Sequence, residues 1–458
     1  MDAFEELKQR VEENRRGYVA GAIPAPAERR RQLRRMLQWL RREQGRVLNA
    51  LNSDLHKCET EARLSEIFPL IGALKHLIRR LPRLTRERRV PTPLFCFPAS
   101  GYLRAEPYGQ VLIFSTWNYP FLLAVEPVAA AIAAGNRVLL VLSPQAPATA
   151  RVIGEMMRET LPPEVVTIVP REVSFDRLWQ LRYDKIFFTG GIRAGREVLR
   201  RAAETLTPVT LELGGKSPAV VERGADLRIA ARRLVWGKFL NAGQTCVAPD
   251  YLLVRRELKD PLLVEMQRVL KEFYGEDALN SPDYPRIVNR THYERLNALL
   301  TSGRLAAGGE KAPEELFIAP TILDDVKPDD PIMENEIFGP ILPVLTYERI
   351  EEAISFINER PKPLALYCFG NRRSCRTILG ATSSGSACVN DCVMQLCNPY
   401  MPFGGVGASG MGCYHGDYGF ACFSHLKPVM VQRNFFDAPL RYPPFREWKQ
   451  RLVAFFCR

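Results

Sequence analysis

A series of short apolar segments separated by helical patterns constrains the fold of this chain most. The segments "VLIFS" at 111–115, "VLLVL" at 138–142, "VVTIV" at 165–169 and "KIFF" at 185–188 are almost wholly apolar. Strands that are apolar on both faces and alternate with helices are typical of a parallel sheet covered on both sides. The sequence therefore predicts an α/β protein with a Rossmann-like parallel sheet, whose ligands bind beyond the carboxyl ends of the strands.

A second block of the same kind begins near Glu212 and ends near Pro399. Its predicted helices are 226–238, 260–273 and 349–358, and its predicted strands are 250–255, 341–346, 364–369 and 386–390. A chain of 458 residues is too long for one ordinary core, so we expect two or three domains. The first hundred residues are predicted to form helices that close with the Pro-containing stretch "RVPTPLFCFPASGY". The chain from Lys427 onward is predicted to be irregular.

The net charge of +12 is concentrated in the basic segment 28–46. Leu33, Met36, Leu37 and Leu40 follow helical spacing there, which predicts an amphipathic helix with an arginine-rich outer face. Such a face is usually only solvated, but it can also bind anionic lipid. No zinc-finger, RNP-type or helix-turn-helix pattern accompanies the charge, so we expect no nucleic-acid partner.

The eleven cysteines are spread through the chain, as in proteins of a reducing compartment. The clustered Cys388, Cys392 and Cys397 match no common zinc spacing and are interpreted as structural thiols, so no metal is expected. The charged opening "MDAFEELKQRVEENRR" does not suit a secretory signal. We expect a cytoplasmic protein, with peripheral membrane contact through helix 28–46 or the aromatic tail as a second expectation.

Three stretches carry residues suited to chemistry. In "FFTGGIRAG", Gly190 and Gly195 flank a strand-to-helix turn, where glycine lets a dinucleotide approach the backbone and the helix N-terminus favours phosphate. A plain turn of this kind also needs glycine. In "TLELGGKSP", Glu212 ends an apolar strand, and it suits either a general base or a carboxylate paired with Lys216 or a backbone amide. In "FLNAGQTCVAPDY", Cys246 suits a nucleophile or an inert buried thiol.

Taken together, these stretches resemble the signature blocks of aldehyde dehydrogenases. The blocks are "VTLELGGKSP", "FLNAGQTCVAPDY", "EIFGPILPV" and "PFGGVGASGMG", and they lie in that family's order and spacing. The "TWNYP", "FYGE" and "INERPKPLALY" segments resemble the class 3 branch, which acts on fatty and aromatic aldehydes. The resemblance covers about residues 15–443. It implies oxidation of an apolar aldehyde to the acid, with NAD or NADP as the cofactor and a homodimer as the assembly.

The resemblance also implies a role for each site residue. Cys246 would attack the aldehyde to give a thiohemiacetal and then a thioester, and Glu212 would activate the water that hydrolyses it. The Asn118 side-chain amide and the Cys246 backbone N–H would stabilise the oxyanion. Glu336 would bind the nicotinamide ribose, and Phe338 would pack against the ring. Gly190, Gly191 and Gly195 would lie at the pyrophosphate.

The resemblance also implies the domain organisation. Residues 1–82 and 104–211 would form the dinucleotide-binding domain and residues 212–398 the catalytic domain. Segments 83–103 and 399–426 would form a bridging or oligomerisation element, and residues 427–458 the C-terminal tail.

One departure from the family pattern concerns the adenosine ribose. Where the family has Lys-Pro-Ser-Glu after its second strand, this chain has Val141, Leu142, Ser143 and Pro144. Apolar groups cannot bond the ribose hydroxyls, and the negative charge that repels a 2′-phosphate is gone. Two consequences for the cofactor follow: weaker binding or a shift toward NADP. The alternative functions are a structural or membrane-surface protein on a cofactor-weakened aldehyde dehydrogenase scaffold, or an esterase that acts through Cys246.

Overall fold

The structure, a computed structural model, describes residues 2–19, 21 and 23–457. Its helices are Ala3–Val19 (α1), Pro26–Arg42 (α2), Gln44–Leu55 (α3), Glu59–Ala62 (α4), Phe68–Leu84 (α5), Leu122–Ala134 (α6), Pro147–Thr160 (α7), Phe175–Leu178 (α8), Ile192–Ala203 (α9), Leu227–Phe239 (α10), Lys259–Tyr274 (α11), Arg290–Leu299 (α12), Pro331–Glu334 (α13), Ile350–Asn358 (α14), Arg372–Ala381 (α15), Gly416–Cys422 (α16) and Glu447–Phe456 (α17).

The strands form two large sheets and two small ones. They are Arg88–Val90 (β1), Ser100–Pro107 (β2), Gln110–Phe114 (β3), Arg137–Val141 (β4), Val166–Ile168 (β5), Lys185–Thr189 (β6), Val209–Glu212 (β7), Pro218–Val221 (β8), Tyr251–Arg255 (β9), Arg304–Ala307 (β10), Lys311–Ala312 (β11), Phe317–Ile318 (β12), Thr321–Asp324 (β13), Ile341–Tyr347 (β14), Ala365–Phe369 (β15), Ser386–Val389 (β16), Gly410–Met411 (β17) and Ser424–Val431 (β18).

The first large sheet has the order β17-β7-β6-β3-β4-β5, and all its pairs are parallel except β17 with β7. Alternate residues of β3 enter different cores. Ile113 packs with the helices α2, α5, α6 and α7 on one face, and Leu112 packs with α1 and α9 on the other. The buried, doubly covered parallel sheet predicted from the apolar segments is confirmed.

The second large sheet has the order β10-β13-β14-β9-β8-β15-β16, with β10 alone antiparallel to its neighbour. Helices α10 and α11 cover one face, and α12, α14 and α15 cover the other. The chain passes from the first sheet to the second directly after Glu212, through the loop 213–217 between β7 and β8. The predicted fold class, two α/β units with a small additional element, is confirmed.

The additional element is the antiparallel sheet β1-β2-β18. The helical prediction for the first hundred residues holds up to Leu84, and β1 and the start of β2 lie almost entirely in the Pro-containing stretch "RVPTPLFCFPASGY" that closes this region. The prediction that the chain is irregular from Lys427 onward is wrong, because β18 continues to Val431 and α17 follows. Pro428 is compatible with β18 because this strand lies at the edge of the sheet, where proline's missing N–H leaves no ladder partner unpaired.

The basic segment 28–46 forms most of α2 and the start of α3. Leu33, Met36, Leu37 and Leu40 are buried, as the spacing predicts. Arg29 is buried too, and its guanidinium donates to the carbonyls of Ala133 and Ala134 at the end of α6. The arginines at 31, 34, 35, 41 and 42 are exposed. Within the described residues, no helix combines the length and the apolar character needed to span a bilayer.

Candidate active site

Cys246 lies in the loop between α10 and β9, after a short turn at Leu240–Gly243. Asn241 and Ala242 in this turn have φ values of 55° and 51°, a left-handed conformation that is uncommon for non-glycine residues. The Cys246 side chain is half-buried. Burial, with the nearby Glu336 and Glu212 carboxyls, raises the pKa of the thiol to about 12. In the free protein the thiol therefore keeps its proton at neutral pH.

Glu212 is the last residue of β7, at the carboxyl end of the first sheet. Its side chain is 3% exposed, and neither carboxyl oxygen has a hydrogen-bond partner among the described residues. Burial raises the pKa of this carboxyl well above its usual range. The alternative pairing with Lys216 does not occur, because the Lys216 ammonium binds Asp250 at 2.6 Å and two backbone carbonyls. An unpaired carboxyl of raised pKa suits a general base.

Asn118 lies in the loop after β3, and its side-chain Nδ2 donates to the Gln244 carbonyl at 3.0 Å. The next residue, Tyr119, shares a 2.6 Å hydrogen bond with the hydroxyl of Thr245. These two bonds connect the first sheet to the loop of Cys246, which follows Thr245 directly. One hydrogen of the Asn118 amide is used by Gln244, so the other can be donated to a ligand.

Glu336 and Phe338 lie in the loop between α13 and β14. A Cβ on Gly214 would lie 2.0 Å from the Glu336 Oε2, so only glycine permits this close approach. Burial, with Asp250 nearby, raises the pKa of Glu336 to about 8. Phe338 has a φ of 48°, which is strained for a large side chain. Its ring packs edge-on against Trp117, with the two ring centres 5.3 Å apart.

The glycines predicted at the pyrophosphate, Gly190, Gly191 and Gly195, lie between the end of β6 and the first turn of α9. A Cβ on Gly190 would meet the Phe188 ring at 2.7 Å, and one on Gly195 would meet Leu213 at 2.6 Å. These two glycines are therefore required by packing. A Cβ on Gly191 would meet nothing within 4 Å, so this residue leaves open space before the first N–H groups of a helix of 12 residues. An open helix N-terminus fits the phosphates of a dinucleotide.

Val141 ends β4 at the same carboxyl edge of the first sheet, and its carbonyl accepts from the Ser115 N–H. Val141 is half-buried, and Pro144 is exposed in the loop before α7. The N-terminus of α7 is capped by Asp54, whose carboxylate accepts from the N–H groups of Ala148 and Thr149. The side chains of Val141 and Pro144 therefore offer no hydrogen-bonding group at this edge of the sheet.

The three clustered cysteines are separate thiols: Cys392 is buried, Cys388 half-buried and Cys397 exposed. In the part of the chain that the structure describes, no group of three or more His, Cys, Asp or Glu side chains is arranged to bind a metal ion.

The sequence interpretation missed the residues that support the Asn118 loop. The Lys57 ammonium binds the Asn118 carbonyl at 2.9 Å, and Glu66 accepts from the N–H groups of Phe121 and Leu122. Both side chains are fully buried. Lys57 and Glu66 lie in the charged stretch "HKCETEARLSE", where nothing in the apolar spacing indicates burial.

The chain matches the aldehyde dehydrogenase family over residues 5–429. It is 43% identical to the 4,4'-diaponeurosporen-aldehyde dehydrogenase of Staphylococcus aureus, over 93% of this chain and 94% of that protein. It is 42% identical to aldehyde dehydrogenase family 3 member A2 of Mus musculus, over 93% of this chain and 88% of that protein.

The fold is also similar to solved structures. The substrate-bound state of Staphylococcus aureus AldH has a TM-score of 0.95 at 40% identity, covering 98% of this chain and 99% of that one. The NAD+ complex of aldehyde dehydrogenase from Bacillus cereus has a TM-score of 0.85 at 26% identity, covering 94% and 89%. The chain belongs to the aldehyde dehydrogenase family. It is an NAD(P)-dependent oxidoreductase acting on aldehydes, and the predicted resemblance to class 3 is confirmed.

Proposed function

We propose that this protein oxidises an apolar aldehyde, of medium or long chain or aromatic, to the carboxylic acid through a covalent intermediate on Cys246. One observation carries the proposal: the fully unpartnered Glu212 carboxyl lies near the Cys246 thiol, in a loop bonded to Asn118. The nucleophile, the base and a free amide donor are thus brought together from three separate segments. Aromatic side chains around the loops, among them Trp117 and Phe338, suit an apolar substrate.

In the first step the Cys246 sulfur bonds to the carbonyl carbon, and the thiol proton leaves to a base. Because the pKa of the thiol is raised to about 12, the sulfur gives up its proton to solvent water as the bond forms, and Glu212 is left for the hydrolysis step. The oxyanion receives hydrogen bonds from the free hydrogen of the Asn118 amide and from the Cys246 N–H. Transfer of hydride to the nicotinamide cofactor, when it is bound, would leave a thioester on Cys246. A water molecule that gives its proton to the ionised form of Glu212 then attacks the thioester, and the C–S bond breaks to release the acid and the Cys246 sulfur.

The first sheet, with α9, would bind the cofactor, and the second would carry the nucleophile, in keeping with the expected domains. The open N-terminus of α9 at Gly191 fits the pyrophosphate, Glu336 would bind the nicotinamide ribose, and Phe338 would pack on the ring. When bound, NAD or NADP accepts the hydride. The apolar Val141 and Pro144 offer the adenosine ribose no hydrogen bond, so we expect looser binding at that end.

The experiment is the formation of NADH and NADPH with a medium-chain aldehyde, in the wild type, in Cys246→Ser and in Cys413→Ser. Cys413 is the matched control because it is also half-buried and near Glu212. We expect turnover in the wild type and the control, and none in Cys246→Ser. Absence of reduced cofactor at saturating NAD or NADP would refute the proposed oxidation. Activity that survives Cys246→Ser would refute the role of the thiol.

We also propose a homodimer that uses the sheet β1-β2-β18. Leu94 and Phe95 beside it are 86% and 87% exposed, and Phe97 forms an aromatic group with Phe435 and Phe436. Exposed apolar patches of this kind are typical of protein interfaces. Sedimentation analysis should give a dimer for the wild type and a monomer for Phe95→Glu, and a monomeric wild type would refute the assembly.

For the cellular setting we propose the cytoplasm, with peripheral contact of α17 on anionic membranes. The free cysteines suit a reducing compartment, and Trp448, Phe455 and Phe456 project from α17 beside basic residues. Flotation with vesicles containing phosphatidylserine should retain the wild type and lose Phe455→Ser/Phe456→Ser. Equal flotation of the two, or none by either, would refute this contact.

A further inference from the structure

The loop that carries Asn118 is connected to a buried ion pair outside the proposed catalytic groups. The Lys57 ammonium lies 2.7 Å from Glu66 Oε1, and the side chains of both residues are 0% exposed. Lys57 lies between α3 and α4, and Glu66 lies in a single π-helical turn, Arg63–Ile67, that precedes α5. Turns of this kind are rare and occur often at functional sites.

Each partner of the pair binds one end of the Asn118 loop. Lys57 donates to the Asn118 carbonyl at 2.9 Å, and its ammonium lies 4.0 Å from the centre of the Tyr119 ring. The second carboxyl oxygen of Glu66 accepts from the Phe121 N–H at 2.9 Å and the Leu122 N–H at 3.2 Å. The pair thus spans the loop from Asn118 to the first residue of α6.

The same segment also contacts the loop of Cys246. Glu61 accepts from the Asn241 N–H at 3.2 Å, and the Asn241 amide donates both to the Asn118 carbonyl at 2.8 Å and to the Gln244 carbonyl at 3.1 Å. The Asn118 carbonyl therefore accepts two hydrogen bonds, one from the Lys57 ammonium and one from the Asn241 amide. Residues 57–66 connect the loop of the amide donor to the loop of the nucleophile.

A pair buried this deeply is weak evidence for stability. Taking two charges out of water costs several kcal/mol for each ion, and well-packed apolar replacements are often neutral or stabilising. Every charged atom of this pair is nonetheless bonded, and all the bonds outside the pair go to the backbone or ring of the Asn118 loop. The pair therefore fixes the position of that loop in the fold.

We propose that Lys57 and Glu66 are positioning residues that hold the Asn118 amide at the oxyanion, an inference that rests on the proposed function above. They touch no reacting atom. Removing the pair should let the amide move, and a displacement of 1 Å at such a site typically costs about 10²-fold in rate. Because the amide acts in the transition state, kcat and kcat/KM should fall together while KM and cofactor affinity stay unchanged.

The test is the double variant Lys57→Met/Glu66→Gln, which removes both charges and keeps the volumes. Its matched control is Arg255→Met/Glu222→Gln, which removes another pair of low exposure in the second sheet. Both are measured for kcat, KM and the Kd of NAD by fluorescence, in the wild type and in an Asn118→Ala background. We expect a loss of about 10²-fold in kcat for the first variant and about twofold or less for the control.

In the Asn118→Ala background the Lys57→Met/Glu66→Gln change should cost about twofold or less, because its target is already gone. An equal loss in both backgrounds, or no loss in either, would overturn the inference. Glu66→Asp keeps the charge but shortens the side chain, and it provides a second test if the double variant folds poorly. It should lower kcat with unchanged cofactor Kd. Full activity of Glu66→Asp would also overturn the inference. If Asn118→Ala itself keeps full activity, the proposed role of the Asn118 amide at the oxyanion is refuted, and with it the proposed function on which this inference rests.

Discussion

Replacing Glu212 with glutamine should stabilise this protein increasingly as the pH rises. In the wild type, burial raises the pKa of the carboxyl well above its usual range. Above the pKa of the unfolded chain, about 4.3, the carboxyl is ionised when unfolded and protonated when folded. Folding then takes up a proton, so the free energy of unfolding falls with pH until the folded-state pKa is reached. Glutamine does not titrate, so the variant lacks this loss of stability with rising pH.

The size of the effect follows from linkage. The stability of Glu212→Gln relative to wild type should grow by about 1.4 kcal/mol for each pH unit within that window. At about 2.1 cal/mol/K of unfolding entropy per residue, a chain of 458 residues changes its Tm by about 1 °C per kcal/mol. The difference in Tm should therefore grow by about 1.5 °C per pH unit. The two hydrogens of the glutamine amide add a cost that does not depend on pH.

The assay is thermal unfolding of both proteins without cofactor at half-unit steps from pH 5 to pH 8.5. We expect the difference in Tm to rise from about pH 5 and to level off at the pKa of folded Glu212. The same variant should lose steady-state turnover, because the base for thioester hydrolysis is gone. A difference in Tm that is flat over the whole range would show that Glu212 ionises normally, and the reasoning from its burial would fail.

Three further predictions concern other residues of the site. Asn118→Ala should lower kcat by about 10²–10³-fold with unchanged cofactor Kd, measured by initial rates and fluorescence titration, and an unaltered kcat would exclude the amide as a donor. Val141→Lys/Pro144→Glu should raise the affinity for NAD by about 10- to 100-fold in a direct titration, since it adds two hydrogen bonds to the ribose. The added negative charge should also favour NAD over NADP, and an unchanged ratio of the two affinities would contradict this. Lys238→Met should raise stability by about 3 kcal/mol at pH 7, because burial lowers the pKa of this lysine, whose ammonium is unpaired among the described residues, to about 8. The gain should shrink between about pH 8 and pH 10.4, where the folded lysine has lost its proton and the unfolded lysine still holds it. A pH-independent Tm difference would refute this prediction.

The regular part of the fold was predictable because its strands are buried on both faces. The apolar segments at 111–115 and 138–142 correspond to β3 and β4, and the predicted helix 260–273 corresponds to α11. The short strands between 304 and 324 were not predicted, since strands of two to four residues have too few positions for a period to appear. The strand β18 was not predicted, because Pro428 interrupts its pattern and its pairing depends on β2.

The candidate site was predictable only where the motif is local. The stretch around Cys246 and the end of β7 at Glu212 follow from the family pattern, and the structure brings them near one another. Lys57 and Glu66 were not predictable, because the contact from Lys57 to Asn118 joins segments 61 residues apart. Nor could the sequence show that Lys216 binds Asp250 and leaves the Glu212 carboxyl unpaired.

The most direct test of the proposed mechanism is to trap the covalent intermediate. Glu212→Gln is mixed with a medium-chain aldehyde and saturating NAD or NADP, quenched in acid, and mapped by peptide mass spectrometry. The proposed mechanism predicts an acyl group on the peptide that contains Cys246, together with one burst of reduced cofactor per active site. An acyl group on another cysteine, or a burst without any acyl-enzyme, would contradict it.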